Sequence, residues 1–288
     1  MAAALCEPAP LIEVKNLVKR YDDNVVLDGF GLRVDRGETC VIIGRSGVGK
    51  STFARLLVGL ERPDSGEIWI DGTNIVGLGA RGLDRVRRKF AVVYQKYALL
   101  DSMSVFDNVA FPLREETDLS NAEIAKRVHR ALRELEVDDA ALKLPGELSG
   151  GMSKRVGTAR AVITDPEILV YDEPTTGLDP ISSRIVDGLI ERMRTGHGVT
   201  SVVITHDMVT AYGIADWVAL LADGKTVAQG TPEELFRSHG KDIEPFAKAS
   251  GVDVANFASR AGRESPARVR AKWSEAHPAS AEESRDSP

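Results

Sequence analysis

A chain of 288 residues is long enough for one large domain, or two modest ones, with a buried core. Lys and Arg number 37 against 43 Asp and Glu, a net charge of −6, which argues against a general nucleic-acid binder carrying a basic excess. No apolar run reaches the ~18–20 residues of a membrane helix, the N-terminus lacks the cationic start and apolar stretch of a secretory signal, and the two cysteines, Cys6 and Cys40, have no metal-ligand spacing. The expectation is a soluble, cytoplasmic chain in a reducing compartment, able to work at a membrane through a partner.

Residues 1–10 are small and proline-bearing and read as a loose leader. Ile12 to Leu17 alternates as a half-buried strand does, and 25–27 and 31–34 continue in β fashion. Thr39 to Ile43 is a continuous run suited to a strand covered on both faces. A glycine-rich turn and a helix follow, with Phe53, Leu56, Leu57 and Leu60 on one side. Gly66–Gly72 and Phe90–Tyr94 read as further strands. The stretch from about 96 to 165 is helical in character. Ser120-Asn121-Ala122-Glu123 is a capping box, Ile124, Val128, Leu132 and Leu135 recur at helical spacing, and Pro145-Gly146 precedes a second helical stretch, 149–164. Strands resume at Ile168–Tyr171 and Ser201–Thr205, with a helix opened by Asp179-Pro180 between them. Trp217–Ala222 and Thr226–Gln229 are late strands, and Thr231-Pro232-Glu233-Glu234 opens a last short helix. Strands alternating with helices imply an α/β core.

The strand at 39–43 runs into Gly44-Arg45-Ser46-Gly47-Val48-Gly49-Lys50-Ser51, which fits the phosphate-loop pattern G-x-x-x-x-G-K-[ST]. Glycines let the backbone fold tightly around phosphates with N–H groups turned inward, and the helix after Gly49 adds its positive end. Lys50 reaches the β- and γ-phosphates, Ser51 offers a hydroxyl to Mg²⁺, and Thr52 follows on the same turn. Ile168 to Asp172 is a buried strand delivering Asp172, suited to Mg²⁺, and Glu173, suited to polarise the attacking water as general base. Leu148-Ser149-Gly150-Gly151-Met152 opens a helix as an anion site without a lysine of its own. Gln95 follows a strand and can bridge the metal or the water to the helical stretch; Asp179 stands just after the acidic pair; His206 ends the strand 201–205, where a γ-phosphate would sit.

Taken in order over residues 11–240, the phosphate loop, Gln95, the signature 148–152, the acidic pair, Asp179 and His206 resemble the ATP-binding subunits of ABC transporters. The resemblance implies a P-loop NTPase (RecA-like) core with an antiparallel β subdomain and an inserted helical subdomain, an ABC domain over 11–245 with its helical insertion at about 96–165, and a C-terminal extension over 246–288. It also implies a head-to-tail homodimer, with Ser149, Gly150 and Gly151 of one copy on the γ-phosphate held by the other, Asp179 at the nucleotide, and Tyr21 stacked on adenine. Met152 stands where most such signatures carry Gln. With Lys154-Arg155-Val156, the segment 97–115 and Thr175 to Ile181, it makes the chain similar to the ATPases of Mla- and Mce-type lipid transporters.

The expected cofactors are ATP and Mg²⁺. The expected partners are integral-membrane permease subunits, a second copy of the chain, a small cytoplasmic regulatory subunit and a membrane-anchored substrate-binding protein, with no nucleic acid. The site is expected on the inner face of the cell membrane. An amino-acid or metal-chelate importer shares every catalytic motif and differs in cargo. A soluble ABC ATPase acting on DNA or ribosomes usually fuses two cassettes or inserts coiled coils, and neither is present in the sequence. The tail carries Arg260, Arg263, Arg268, Arg270 and Lys272 against Glu264, then a small polar acidic end expected to be disordered.

Overall fold

The structure is a computed structural model that describes residues 9–94 and 98–238. Gln95 and the extension 246–288 lie outside the described residues.

Two sheets carry the fold. β1 (Ile12–Tyr21), β2 (Asn24–Val34), β4 (Ser65–Ile70) and β5 (Thr73–Asn74) form an antiparallel sheet in the order β2-β1-β4-β5. The two short runs read at 25–27 and 31–34 are one strand, because register shifts against β1 let the chain bend without leaving the sheet. The second sheet contains β3 (Thr39–Ile43), β6 (Phe90–Val93), β7 (Ile168–Asp172), β8 (Thr200–Thr205), β9 (Trp217–Ala222) and β10 (Lys225–Gly230). Its order is β10-β9-β3-β8-β7-β6, parallel except for the antiparallel edge strand β10.

The continuous apolar runs of β3, β7 and β8 follow from this topology. Each strand is covered on both faces, and successive residues enter different cores. Val41, Ile43, Leu169, Tyr171 and Val203 face the helices; Cys40, Ile42, Val170, Val202 and Ile204 face the antiparallel sheet. Between the sheets lies α1 (Lys50–Leu57), which buries Phe53, Leu56 and Leu57, with the Phe53 ring 4.7 Å from that of Phe30. Burial pushes the Cys40 thiol far up, so this cysteine acts as a small apolar residue rather than a nucleophile.

Helices α3 (Val105–Glu116), α4 (Asn121–Glu134) and α5 (Gly150–Val162) lie between β6 and β7 in the chain and pack on one another. The capping box forms as expected: Ser120 Oγ accepts from the Glu123 amide at 3.3 Å, and Glu123 Oε2 accepts from the Ser120 amide at 2.9 Å. Ile124, Val128, Leu132 and Leu135 are all buried. Fully buried Asn108 fastens the preceding loop to α3, accepting from the Leu100 amide at 2.8 Å and donating towards the carbonyls of Leu100, Met103 and Ser104. Short helices α2 (Ala80–Arg87), α7 (Met208–Ile214) and α8 (Pro232–Ser238) complete the described chain with α6 (Pro180–His197). No described helix is long and apolar enough to cross a membrane.

At the contact of α6 and α7, Asp187 is buried, and its Oδ1 has no hydrogen-bond partner among the described residues. Thr210 serves it as a hydrogen-bond partner but also donates to Asp207 Oδ2 at 3.1 Å, so two carboxylates share one hydroxyl. Burial above all, with Asp207 adding to it and Arg184 opposing, pushes the Asp187 carboxyl up to about 6. The folded protein thus holds this proton to higher pH than the unfolded chain. Stability falls as pH rises from the ordinary carboxylate range through about 6, and the loss is complete above that value. Asp187→Asn is expected to raise thermal stability near neutral pH by on the order of 2 kcal/mol, with the gain fading towards pH ~4. Equal melting shifts at both ends of that range would contradict the assignment.

Candidate active site

The parallel strands deliver the motif residues to one edge. β3 ends at Ile43 before Gly44, β8 at Thr205 before His206, and β7 at Asp172 before Glu173. Since β8 lies between β3 and β7, His206 emerges between the glycine-rich loop and the acidic pair. This carboxyl edge is where open α/β sheets form their ligand crevice.

The loop 44–49 is shaped by its glycines. A Cβ on Gly44 would meet the Leu221 carbonyl oxygen at 2.5 Å, so the backbone must pass too close to β9 for any side chain. Gly49 stands at φ +110 immediately before α1, where a Cβ would strike Val26 at 2.8 Å. Arg45 and Ser46 are exposed, Val48 is half-buried, and the Val48 amide donates to the Arg45 carbonyl at 3.3 Å. Lys50 is only 5% exposed, with Nζ donating to the carbonyls of Gly44 at 2.8 Å and Arg45 at 3.1 Å and lying 3.5 Å from Glu173 Oε1.

Ser51 Oγ donates to Asp172 Oδ1 at 3.1 Å. Burial first, and neighbouring Glu173 second, push the Asp172 carboxyl up, while the Ser51 hydroxyl opposes them. A hydroxyl beside a half-buried carboxylate is a hard oxygen donor set of the kind Mg²⁺ prefers. Among the described residues no group of three or more His, Cys, Asp or Glu side chains can hold a metal by itself. A cation here would complete its shell with phosphate oxygens and water, as Mg²⁺ does at phosphate sites.

Glu173 lies at φ +52, an unfavourable backbone for a residue with a side chain, costing about 1–3 kcal/mol. Its amide donates to the Ile204 carbonyl at 2.8 Å. Its Oε2 accepts from Thr176 Oγ1 at 2.9 Å and lies 2.8 Å from His206 Nδ1. Against an ionised Glu173 the imidazole must donate through Nδ1.

The structure therefore brings Lys50, Ser51, Asp172, Glu173 and His206 together as two neighbouring sets, Ser51 with Asp172 and Glu173 with Lys50 and His206. Other motif residues stand apart. Ser149 accepts from the Met152 amide at 3.3 Å and caps α5. Ser149 and Gly150 are exposed, and a Cβ at Gly150 or Gly151 would meet open space. Asp179 caps α6, accepting from the amides of Ile181 at 2.9 Å and Ser182 at 3.0 Å. These bonds, with that of the Ser182 hydroxyl, hold its carboxyl low. Tyr21 is 39% exposed at the tip of β1, and Lys19 Nζ lies 5.1 Å from its ring centroid. Its hydroxyl bonds to Glu61, which Arg55 Nε meets at 2.5 Å, while Arg55 Nη2 reaches Thr52 Oγ1 at 3.2 Å. This chain of polar contacts links the tip of β1 to the first turn of α1. Sequence reasoning missed Thr176, Arg55 and Glu61. Thr176 had a local signal, three residues after Glu173, whereas Arg55 and Glu61 are ordinary surface charges in the sequence.

The ABC transporter family profile matches residues 27–176, just over half of the chain. The chain belongs to the ABC transporter family. The ATP-binding protein MlaF of the intermembrane phospholipid transport system of Haemophilus influenzae is 41% identical over 247 residues, 86% of this chain and 94% of that protein. The methionine import ATP-binding protein MetN of Rhizobium johnstonii is 42% identical over 242 residues, 84% of this chain but 66% of that protein. Among solved structures, the dimeric post-hydrolysis state of the ATP-binding cassette MJ0796 bound to ADP and Pi matches at a TM-score of 0.70 and 31% identity, covering 76% of this chain and 98% of that one. Clostridium perfringens cbiO1, part of the ABC transporter complex cbiONQ, matches at a TM-score of 0.74 and 30% identity, over 84% and 98%. This ABC subunit thus has the α/β P-loop cassette fold, binds ATP and hydrolyses it. ABC ATPases of this kind dimerise and partner membrane permeases.

Proposed function

We propose that two copies of this ABC subunit close head-to-tail around two ATP molecules and drive phospholipid, or another hydrophobic substrate, through a pair of permease subunits. The observation that carries the lipid reading is the 41% identity extending over 94% of the length of a phospholipid-transport ATPase. The methionine-import relative, at 42% identity, is matched over only 66% of its own length.

In this reading Arg45, Ser46, Gly47, Val48 and Gly49 cradle the phosphates by their backbone N–H groups, at the start of α1. Lys50 turns its ammonium from the carbonyls of Gly44 and Arg45 to the β- and γ-phosphates, and Thr52 follows on the same turn. Ser51 and Asp172, with Gln95, hold Mg²⁺, which when bound offsets charge on the β- and γ-phosphate oxygens. Glu173 takes a proton from water as its oxygen adds to the γ-phosphorus and the bond to the ADP oxygen breaks. His206, bonded to Glu173 through Nδ1, presents its other nitrogen to the γ-phosphate. Tyr21 stacks on adenine. The open amino end of α5, with Ser149, Gly150 and Gly151, covers the γ-phosphate held by the other copy, and Asp179 lies at that closure.

The site of action is the inner face of the cell membrane. A small cytoplasmic regulatory subunit and a membrane-anchored substrate-binding protein complete the assembly. The methionine-import likeness favours one second reading, an amino-acid importer. Affinity purification of the full chain from solubilised membranes, with mass spectrometry of bound proteins and lipids, separates the two. The lipid reading expects a permease, a singly anchored binding protein and enriched phospholipid. A permease accompanied by a binding protein loaded with a free amino acid would overturn it.

A further inference from the structure

Lys154 is a buried cation that the site described above does not use. It lies on α5, five positions after the Ser149 cap, and is 5% exposed. The neighbouring buried positions of α5 are Val156, Gly157, Thr158, Ala159 and Ala161, so a lysine pointing inward there is out of character for its helix. Burial pulls its ammonium down to about 8, which marks a charge held against its solvation. Its Nζ donates to the carbonyl oxygen of Pro174 at 2.9 Å, one residue beyond Glu173.

That contact falls beside a strained stretch of backbone. Glu173 has a left-handed φ of +52, which its side chain disfavours. On its amino side the turn is fixed by the bond from the Glu173 amide to Ile204 on β8. On its carboxyl side Pro174 has no N–H to offer, and its carbonyl is met by Lys154. The turn is therefore tied to the sheet through Glu173 and to α5 through Pro174, and the Thr176 amide closes it by donating to the Glu173 carbonyl at 3.3 Å. Loss of the Lys154 contact would remove the tie to α5 from a backbone already strained at Glu173, loosening the carboxylate's 2.8 Å contact with His206 and its place 3.5 Å from Lys50.

We infer that Lys154 is a positioning residue for hydrolysis, its ammonium fixing the Glu173–Pro174 turn to the helix that begins with Ser149. The inference rests on Glu173 being the general base. It has a consequence for the dimer. The amino end of α5 serves the nucleotide of the other copy, while Lys154 on the same helix holds the base of its own site. One rigid helix thus joins the cap of one site to the base of the other.

The test compares Lys154→Met, Lys154→Arg and Glu173→Gln in the full chain, reading turnover and ATP affinity separately. Methionine fills the space with an unbranched apolar chain but cannot donate. Turnover should fall roughly 10- to 100-fold, the scale of a misplaced catalytic group, with ATP affinity within about threefold of the parent. Arginine keeps a donor of similar reach and should hold turnover within about fivefold. Lys154→Gln, whose amide falls short of the carbonyl, carries the same expectation as methionine should that variant not fold. Near-parental turnover in Lys154→Met with Glu173→Gln inactive would overturn the inference. So would equal losses in the methionine and arginine variants, or ATP affinity falling as steeply as turnover. Near-parental turnover in Glu173→Gln would instead remove the reading on which the inference rests.

Discussion

Glu173→Gln is expected to leave ATP bound and to slow its hydrolysis by roughly 10²- to 10⁴-fold. The amide keeps the shape of the side chain and can still accept from Thr176 and His206, which meet Oε2 at 2.9 and 2.8 Å. It cannot take a proton from water. The 3.5 Å contact with Lys50 loses its charge attraction as well, which frees the ammonium for phosphate rather than weakening its hold. Binding and chemistry should therefore separate. Single-turnover rates together with equilibrium ATP binding would measure this, and near-normal turnover would move the base to another residue, His206 first.

Lys50→Ala should act one step earlier. The Lys50 ammonium is buried between two loop carbonyls, and Asp172 and Glu173 stand across from it. A triphosphate entering without that cation would bring its γ-phosphate charge against two carboxylates, with Mg²⁺ and the backbone dipoles left to offset it. ATP affinity should fall at least ~100-fold, the scale of losing a charged donor from a preorganised anion site. Titration with a fluorescent ATP analogue would measure it, and unchanged affinity would overturn the assignment of the loop.

What the sequence made legible was contiguous. Thr39 to Ser51 carries its strand, turn and helix start in one run, and Ile168 to Glu173 carries a strand and its acidic end. What it could not supply was the placement of β8 between β3 and β7, because strand order depends on contacts between distant segments. That order is what sets His206 against Glu173. Helices α2 and α7 escaped, and α3 was legible only as part of the helical stretch 96–165. Helix α2 follows Gly79, an N-cap residue with no side chain to mark the start. Helix α3 carries Pro112 within it, which argues against a helix, although its Ser104 cap accepting from Asp107 was a usable signal. Helix α7 spans seven residues, and its Asp207 cap was overshadowed by the neighbouring histidine. Lys154 was hidden for a different reason. A lysine in a polar helical stretch reads as solvated, and its partner Pro174 is 20 residues away. Tyr21 was identified for its ring, but the bond of its hydroxyl to Glu61 required the loop after α1 to fold back on β1.

In the proposed dimer the complete site is shared, with the phosphate loop of one copy closed by Ser149, Gly150 and Gly151 of the other. The exposure of Ser149 and Gly150, and the open space that a Cβ on Gly150 or Gly151 would meet, support this within a single chain. The most direct measurement is the mass and nucleotide content of Glu173→Gln protein held with ATP, alone and combined with Ser149→Arg. A shared site predicts a particle of two chains holding two ATP molecules for the first. It predicts single chains that still bind ATP for the second, because a bulky side chain at the cap blocks closure. A Glu173→Gln protein that stays a single chain when saturated with ATP, or a pair that survives Ser149→Arg unchanged, would contradict it.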